Sequence, residues 1–342
     1  MIDFRYHLVS IVAVFLALAI GIVVGATALK PKTEDFFDRA SRLEEQQISS
    51  ARAKIRGLQS QVGSDQAFAQ SAAPVLLANL LPGQRVVLVT APGADGGTVS
   101  GITAALKLAG AKVIGQAQLQ PAFFDTSPSA QNSLDVLAQK VGPTTVIPGS
   151  QPTQAPVDSQ IAGQQEAAQV LAPALVTKSS TDLPASQTST ILDGFAAQGY
   201  LQLSPAALAP PQATLAVVVI PSNPPASDSN PANLALLSLA DELAASSRGV
   251  VVAGPIAGSG PGSAIDELVS GGTSIQVSSV DNADTPVGQV IVAQALASLL
   301  AGQKPKAYGL DTGAVPTPAP TPAVSPSAVP AATPTTRAKI RA

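Results

Sequence analysis

Residues 8 to 29, LVSIVAVFLALAIGIVVGATAL, form an apolar run with no charge and two hydroxyl side chains, Ser10 and Thr27. As a helix the run extends roughly 33 Å, enough to cross a hydrocarbon layer of about 30 Å. A buried helix of a soluble core is shorter or carries a polar stripe at helical spacing, and this run has neither. Ala26-Thr27-Ala28 matches the small-residue pattern at which secretory leaders are cut. The apolar run nevertheless exceeds the roughly 7 to 15 residues of a leader core, so residues 1–32 are expected to be an uncleaved membrane anchor. Gly21 and Gly25 stand four residues apart, a spacing that lets two helix backbones approach in lipid and also arises by chance in Ala/Gly/Val-rich spans.

Beyond the span the pattern changes to polar residues with recurring apolar positions, and Pro31 is expected to break the register. Ile48, Ala51, Ile55, Leu58 and Val62 recur at intervals of three and four, the seam of a heptad. Phe36, Ala40 and Leu43 line up with one another but meet Ile48 out of frame, a discontinuity that alters pairing locally. Asp35 with Arg39 and Asp38 with Arg42 are opposite charges one turn apart. Residues 33–72 are therefore expected to be a helical stalk, extending roughly 60 Å from the membrane. It would pair in parallel as a homodimer or lie on its own globular domain.

From residue 84 the period shifts again. Val86 to Thr90 reads as a buried strand, 100–110 as a helix with a glycine stop, and 111–119 as the next strand, a βαβ unit. Helical patches are expected near 134–140, 164–170 and 190–199. Strands at 213–221, 249–255 and 273–279 then alternate with helices at 232–247, 263–271 and 285–302. This pattern predicts an α/β domain over residues 84–311, an open, mainly parallel sheet with helices on both faces. Residues 312–342 are rich in Pro, Thr and Ala without apolar periodicity and end in Arg337, Lys339 and Arg341, so a disordered tail with a basic end is expected.

Composition narrows the chemistry. The chain has no Cys, which excludes disulfides and thiolate nucleophiles, and its one histidine, His7, lies at the membrane edge, so no Ser-His-Asp triad can form in the domain. Residues 57 to 336 hold eight basic against sixteen acidic residues, a surface ill suited to nucleic acid. Ala91 to Gly97 is glycine-rich but matches no dinucleotide or P-loop fingerprint. Asp281 to Thr285 concentrates oxygen donors that suit a hard cation. The same stretch suits a helix start, with Asp284 near the positive end of the helix dipole, Thr285 as N-cap and Pro286 at the first position. The acid pairs Asp241-Glu242 and Asp266-Glu267 are expected to form solvated helix faces. No catalytic, cofactor or metal-binding residues are assigned, and a nonenzymatic protein is expected.

Two stretches, MIDFRYHLVSIVAVFLALAIGIVVGA (1–26) and SSVDNADTPVGQVIVAQALASLLAG (278–302) followed by Tyr308-Gly309, resemble the actinobacterial copper transporter family typified by mycobacterial copper transport protein B. The resemblance covers about residues 1 to 310. It implies a single amino-terminal span, a coiled-coil stalk, an extracytoplasmic α/β domain in the cell envelope and a role in copper efflux or homeostasis. The basic residues flanking the span lean slightly toward a cytoplasmic carboxyl side, and the resemblance outweighs that lean. Copper(I) selects thiolate and thioether and copper(II) favours imidazole, whereas this chain offers only Met1 and His7, so its role in copper handling would be indirect or need partners. Some corynebacterial relatives look like septation factors that act with a membrane partner to control a peptidoglycan hydrolase. A scaffold of that kind is the alternative reading.

Overall fold

The computed structural model describes residues 4–142, 159–178, 183–205, 212–222, 231–270, 277–310 and 314–318, with backbone alone for 4–5, 27–44 and 270. It falls into two units, Met1–Asp65 and Gln66–Ala342.

The first unit consists of one helix, α1 (Phe4–Leu77), which continues into the second. It runs through Pro31, so the expected break is not there. A proline in a helix interior removes one hydrogen bond at a cost of about 3 kcal/mol. That loss is local, and the stretch that follows, residues 34–47, is rich in Glu, Gln and Arg, which favour helix. Tyr6–Ala26 is the segment among the described residues long and apolar enough to cross a membrane, and none of it is buried. The charge pairs and apolar positions between Phe36 and Leu43 fall where only the backbone is described. From Glu45 to Asp65 every side chain is exposed.

In the second unit α1 runs past the expected end of the stalk. Ala69, Ala73 and Leu77, at intervals of four, turn one face of its last turns into the core. Asn79, with φ of 58°, turns the chain out of the helix. The alternation that follows is β1 (Arg85–Thr90), α2 (Gly96–Leu108), β2 (Lys112–Leu119), α3 (Pro128–Val141), α4 (Ala162–Leu175), α5 (Ala185–Ala197), β3 (Leu201–Ser204), β4 (Leu215–Val219), α6 (Pro231–Ser246), β5 (Val250–Ala253), α7 (Ala264–Ser270), β6 (Ser278–Val280), α8 (Pro286–Leu300) and β7 (Ala307–Tyr308).

The strands form one sheet in the order β3-β2-β1-β4-β5-β6-β7. All neighbours are parallel except β2 and β3. The antiparallel edge strand β3 and the two-residue β7 were not legible in the sequence, because neither is long enough to establish a period. Of the strand expected at 273–279, Ser278–Val280 is a strand among the described residues, and residues 271–276 lie outside the described set, as does the tail beyond 318.

Alternation along β1 divides the core in two. Val86 and Leu88 join the end of α1, α2 and α8 on one face, while Val87 and Val89 join α3 to α7 on the other. Helices thus cover both faces, which is why β4 and β5 are unbroken runs of buried Val, Ala and Leu rather than alternating strands.

One buried amide ties several of these elements together. Gln212, just before β4, donates from Nε2 to Pro173 O at 2.7 Å and accepts at Oε1 from Leu183 N at 3.0 Å. Its own carbonyl accepts from Arg85 Nε at 2.6 Å. Gln212→Ala strands a buried donor and a buried acceptor and is expected to lower stability by about 2 kcal/mol. Urea unfolding of the detergent-solubilised chain checks this, and a change within about 0.5 kcal/mol would contradict it.

Candidate functional site

The sheet order reverses between β1 and β4, where open α/β sheets commonly hold ligands beyond the strand ends. Here the two loops meet. Ala91 N donates to Val219 O at 2.9 Å, and a Cβ built on Gly93 would stand 3.5 Å from Pro221 Cβ. Residues 223–230, which continue the β4 loop, are outside the described set.

The glycine-rich stretch after β1 is a helix start. Gly96 and Gly97 belong to α2, and Asp95 is its N-cap, with Oδ2 accepting from Thr98 N at 2.7 Å and from Thr98 Oγ1 at 3.1 Å. The backbone hydrogen bond, then the hydroxyl, holds the Asp95 carboxyl below its usual range. An ionised carboxylate therefore sits where a phosphate would have to bind.

The polar cluster after β6 is also committed to the fold. Asp281 is buried and receives Leu310 N on both carboxylate oxygens, at 2.8 and 2.9 Å. It presses on Gly309, whose φ of 133° and lack of a Cβ admit it. Thr285 caps α8 by accepting from Gly288 N at 3.1 Å, with Pro286 in the first turn. Its hydroxyl also donates to Asn282 O at 2.8 Å, and that carbonyl lies so close to Gly288 that no side chain fits there. Asp284, expected beside the cap, instead reaches across to accept from Ile256 N at 3.1 Å in the loop after β5. That partner is 28 residues away, beyond the reach of local capping rules. Among the described residues no three His, Cys, Asp or Glu side chains converge to hold a metal ion.

The acid pairs are not solvated faces. Glu242 is buried in α6 and Asp241 half-buried, because α6 packs between α4 and the sheet and leaves little of its surface in water. Asp266 accepts from Gly262 N at 3.0 Å, turning back to hold its own loop. Glu267 is half-buried. Burial first, then the neighbouring Asp266, raise its carboxyl above the ordinary range, partly offset by a hydrogen bond from the Asn233 side chain.

Glu242 lines a cleft of about 310 Å³ between α3, α4 and α6, with Gln131, Asp135, Glu166, Gln169 and Ser238. The cleft has acids and amides and no basic side chain on its wall, so it is suited to hydrogen-bond donors and cations rather than anions. It was missed because its residues come from helices whose packing a single sequence does not reveal.

The residues singled out for pairing lie on α1. A Cβ at Gly21 or Gly25 would meet nothing within 4 Å. Ile48, Ile55, Leu58 and Val62 are 45%, 52%, 62% and 52% exposed, and Ala51 is exposed too. The seam is thus open along its whole length.

Comparison with known proteins gives a match over residues 1–318 to the family described as "Copper transport outer membrane protein, MctB". The proteins named "Copper transporter MctB" from Mycobacterium bovis and Mycobacterium tuberculosis are each 26% identical over 331 residues, 92% of this chain and 98% of theirs.

Folding favours the protonated form of Glu267, so its contribution is most favourable below the ordinary carboxylate range and is lost as pH rises through its raised value. Glu267→Gln removes that dependence. Urea midpoints of the two chains are expected to converge toward about pH 3 and to separate by pH 7 with the variant the less pH-sensitive. Parallel curves across the range would contradict the assignment.

Proposed function

Because this chain belongs to the MctB family of copper transport proteins, we propose that it is a single-pass protein of the cell envelope that serves copper efflux or homeostasis through partners. Its α/β domain lies on the extracytoplasmic side. The observation that carries this reading is the family match, which spans the apolar helix and the α/β domain together.

The donor set argues for partners. Copper(I) needs thiolate or thioether and copper(II) imidazole, and the chain contains no Cys, one Met and one His. The family description speaks of an outer membrane protein. Here the described strands form an open sheet with helices on both faces, so the route into lipid is Tyr6–Ala26. Copper would therefore cross by way of another protein, with this chain organising or regulating it.

The open seam from Ile48 to Val62 supports parallel homodimerisation. It also favours a second reading, a nonenzymatic scaffold that presents the α/β domain to a membrane partner or a cell-wall hydrolase. In both readings the protein acts by what it touches.

A deletion strain separates the two. Copper sensitivity with normal septation is expected, restored by the wild-type chain and equally by His7→Ala. Septation defects with unchanged copper tolerance would replace the copper reading with the scaffold, and failure of His7→Ala alone would place copper on this chain directly. Orientation is checked in the Cys-free chain with Ser129→Cys, on the exposed amino-terminal turn of α3. A membrane-impermeant maleimide is expected to label it in intact cells, and labelling only after lysis would reverse the topology.

A further inference from the structure

The last turns of α1 carry two apolar faces, of which the fold uses one. Ala69, Ala73 and Leu77 are buried in the domain's own core. Phe68, Ala72, Val75 and Leu76 form a second stripe, spaced i, i+4, i+7 and i+8. Phe68 is 73% exposed, Val75 81% and Leu76 49%, among the large apolar side chains left in water outside the membrane span.

The heptad identifies what covers this stripe. Counted on from Ile48 at position a, Leu76 is again a, Ala72 is d, and Phe68 and Val75 are g, so the stripe continues the side on which the stalk seam lies. Ala69, also at a, is taken by the domain, which leaves the d and g side for a partner. Asp65 falls at d, where two parallel copies would set carboxylates face to face. Beyond it, the larger residues at g, Phe68 and Val75, add to the contact made by Ala72 and Leu76.

Area and charge point to a second copy. Burial of an aliphatic side chain by association removes roughly 60–120 Å². Ile48, Ile55, Leu58 and Val62 thus supply roughly 250–500 Å² per chain, short of the about 800 Å² per partner of a stable interface. Phe68, Val75 and Leu76 close that gap, the aromatic ring alone contributing roughly 150–250 Å². Parallel g-to-e pairs along the stalk join Gln47 to Arg52, Lys54 to Gln59 and Gln61 to Gln66, none of which opposes like charges.

We infer that Phe68, Ala72, Val75 and Leu76 of one copy pack against the same four residues of a second copy, so that pairing extends past the stalk to the foot of the α/β domain. The inference rests on the parallel stalk pairing proposed above, since copies that enter one bilayer by the same end are aligned in register.

The absence of Cys makes the test direct. Single variants Ile55→Cys, Leu76→Cys and Val136→Cys are made in the full chain and oxidised in native membranes with diamide. Facing positions of paired helices fall within disulfide reach. Val136, exposed on α3, reports random collision. Disulfide-linked dimers are expected for Ile55→Cys and Leu76→Cys and not for Val136→Cys, and adding Phe68→Lys to Leu76→Cys is expected to abolish its dimer. A dimer from Ile55→Cys without one from Leu76→Cys would overturn the inference and leave the stalk pairing standing. No dimer from either would remove both. A Leu76→Cys product of another mass would show a different protein on the stripe and equally overturn the inference.

Discussion

The structure depends on a helix that is held on one side only. Ala69, Ala73 and Leu77 fasten the last turns of α1 into the core made with β1, α2 and α8. From Glu45 to Asp65 the side chains of the same helix are exposed. In proteins most helical stability comes from packing an apolar face rather than from propensity. The exposed seam at Ile48, Ile55, Leu58 and Val62 is what the proposed pairing would cover, and the amino-terminal run Tyr6–Ala26 is long and apolar enough to cross a membrane. The α/β domain, by contrast, satisfies itself.

That self-sufficiency extends to the places where chemistry would be sought. The carboxylate of Asp95 fills the start of α2, that of Asp281 holds the backbone of Leu310, and that of Asp284 holds Ile256. Each accepts from a backbone N–H and fixes a loop at the carboxyl end of the sheet. The exception is the cleft between α3, α4 and α6, where Asp135, Glu166 and Glu242 line an open space. A domain whose strand-end carboxylates are spent on loop geometry suits a protein that works by contact, as the copper reading through partners requires.

Much of this was legible in the sequence because periodicity reports burial directly. The valine runs of β1, β4 and β5 and the Thr285-Pro286 start of α8 depend on neighbours within a few residues. What escaped depends on distant residues. Continuity through Pro31 reflects the long helix that runs on both sides of it, and β3 exists because β2 offers an edge. Asp284 is drawn away from the cap by a backbone N–H in another loop, and Glu242 is buried because α4 lies across α6. The pairing residues were readable as a pattern, but a single chain contains only half of what a seam contacts.

Hydrogen exchange along α1 as a function of protein concentration tests the central claim most directly, that the stalk is ordered by a second copy while the domain is ordered by itself. Amides between Ala69 and Leu77 should be slow at every concentration. Those between Glu45 and Asp65 should be slow when the detergent-solubilised chain is concentrated and speed up on dilution. Equal, concentration-independent protection of both segments in a chain shown to be monomeric would contradict the account.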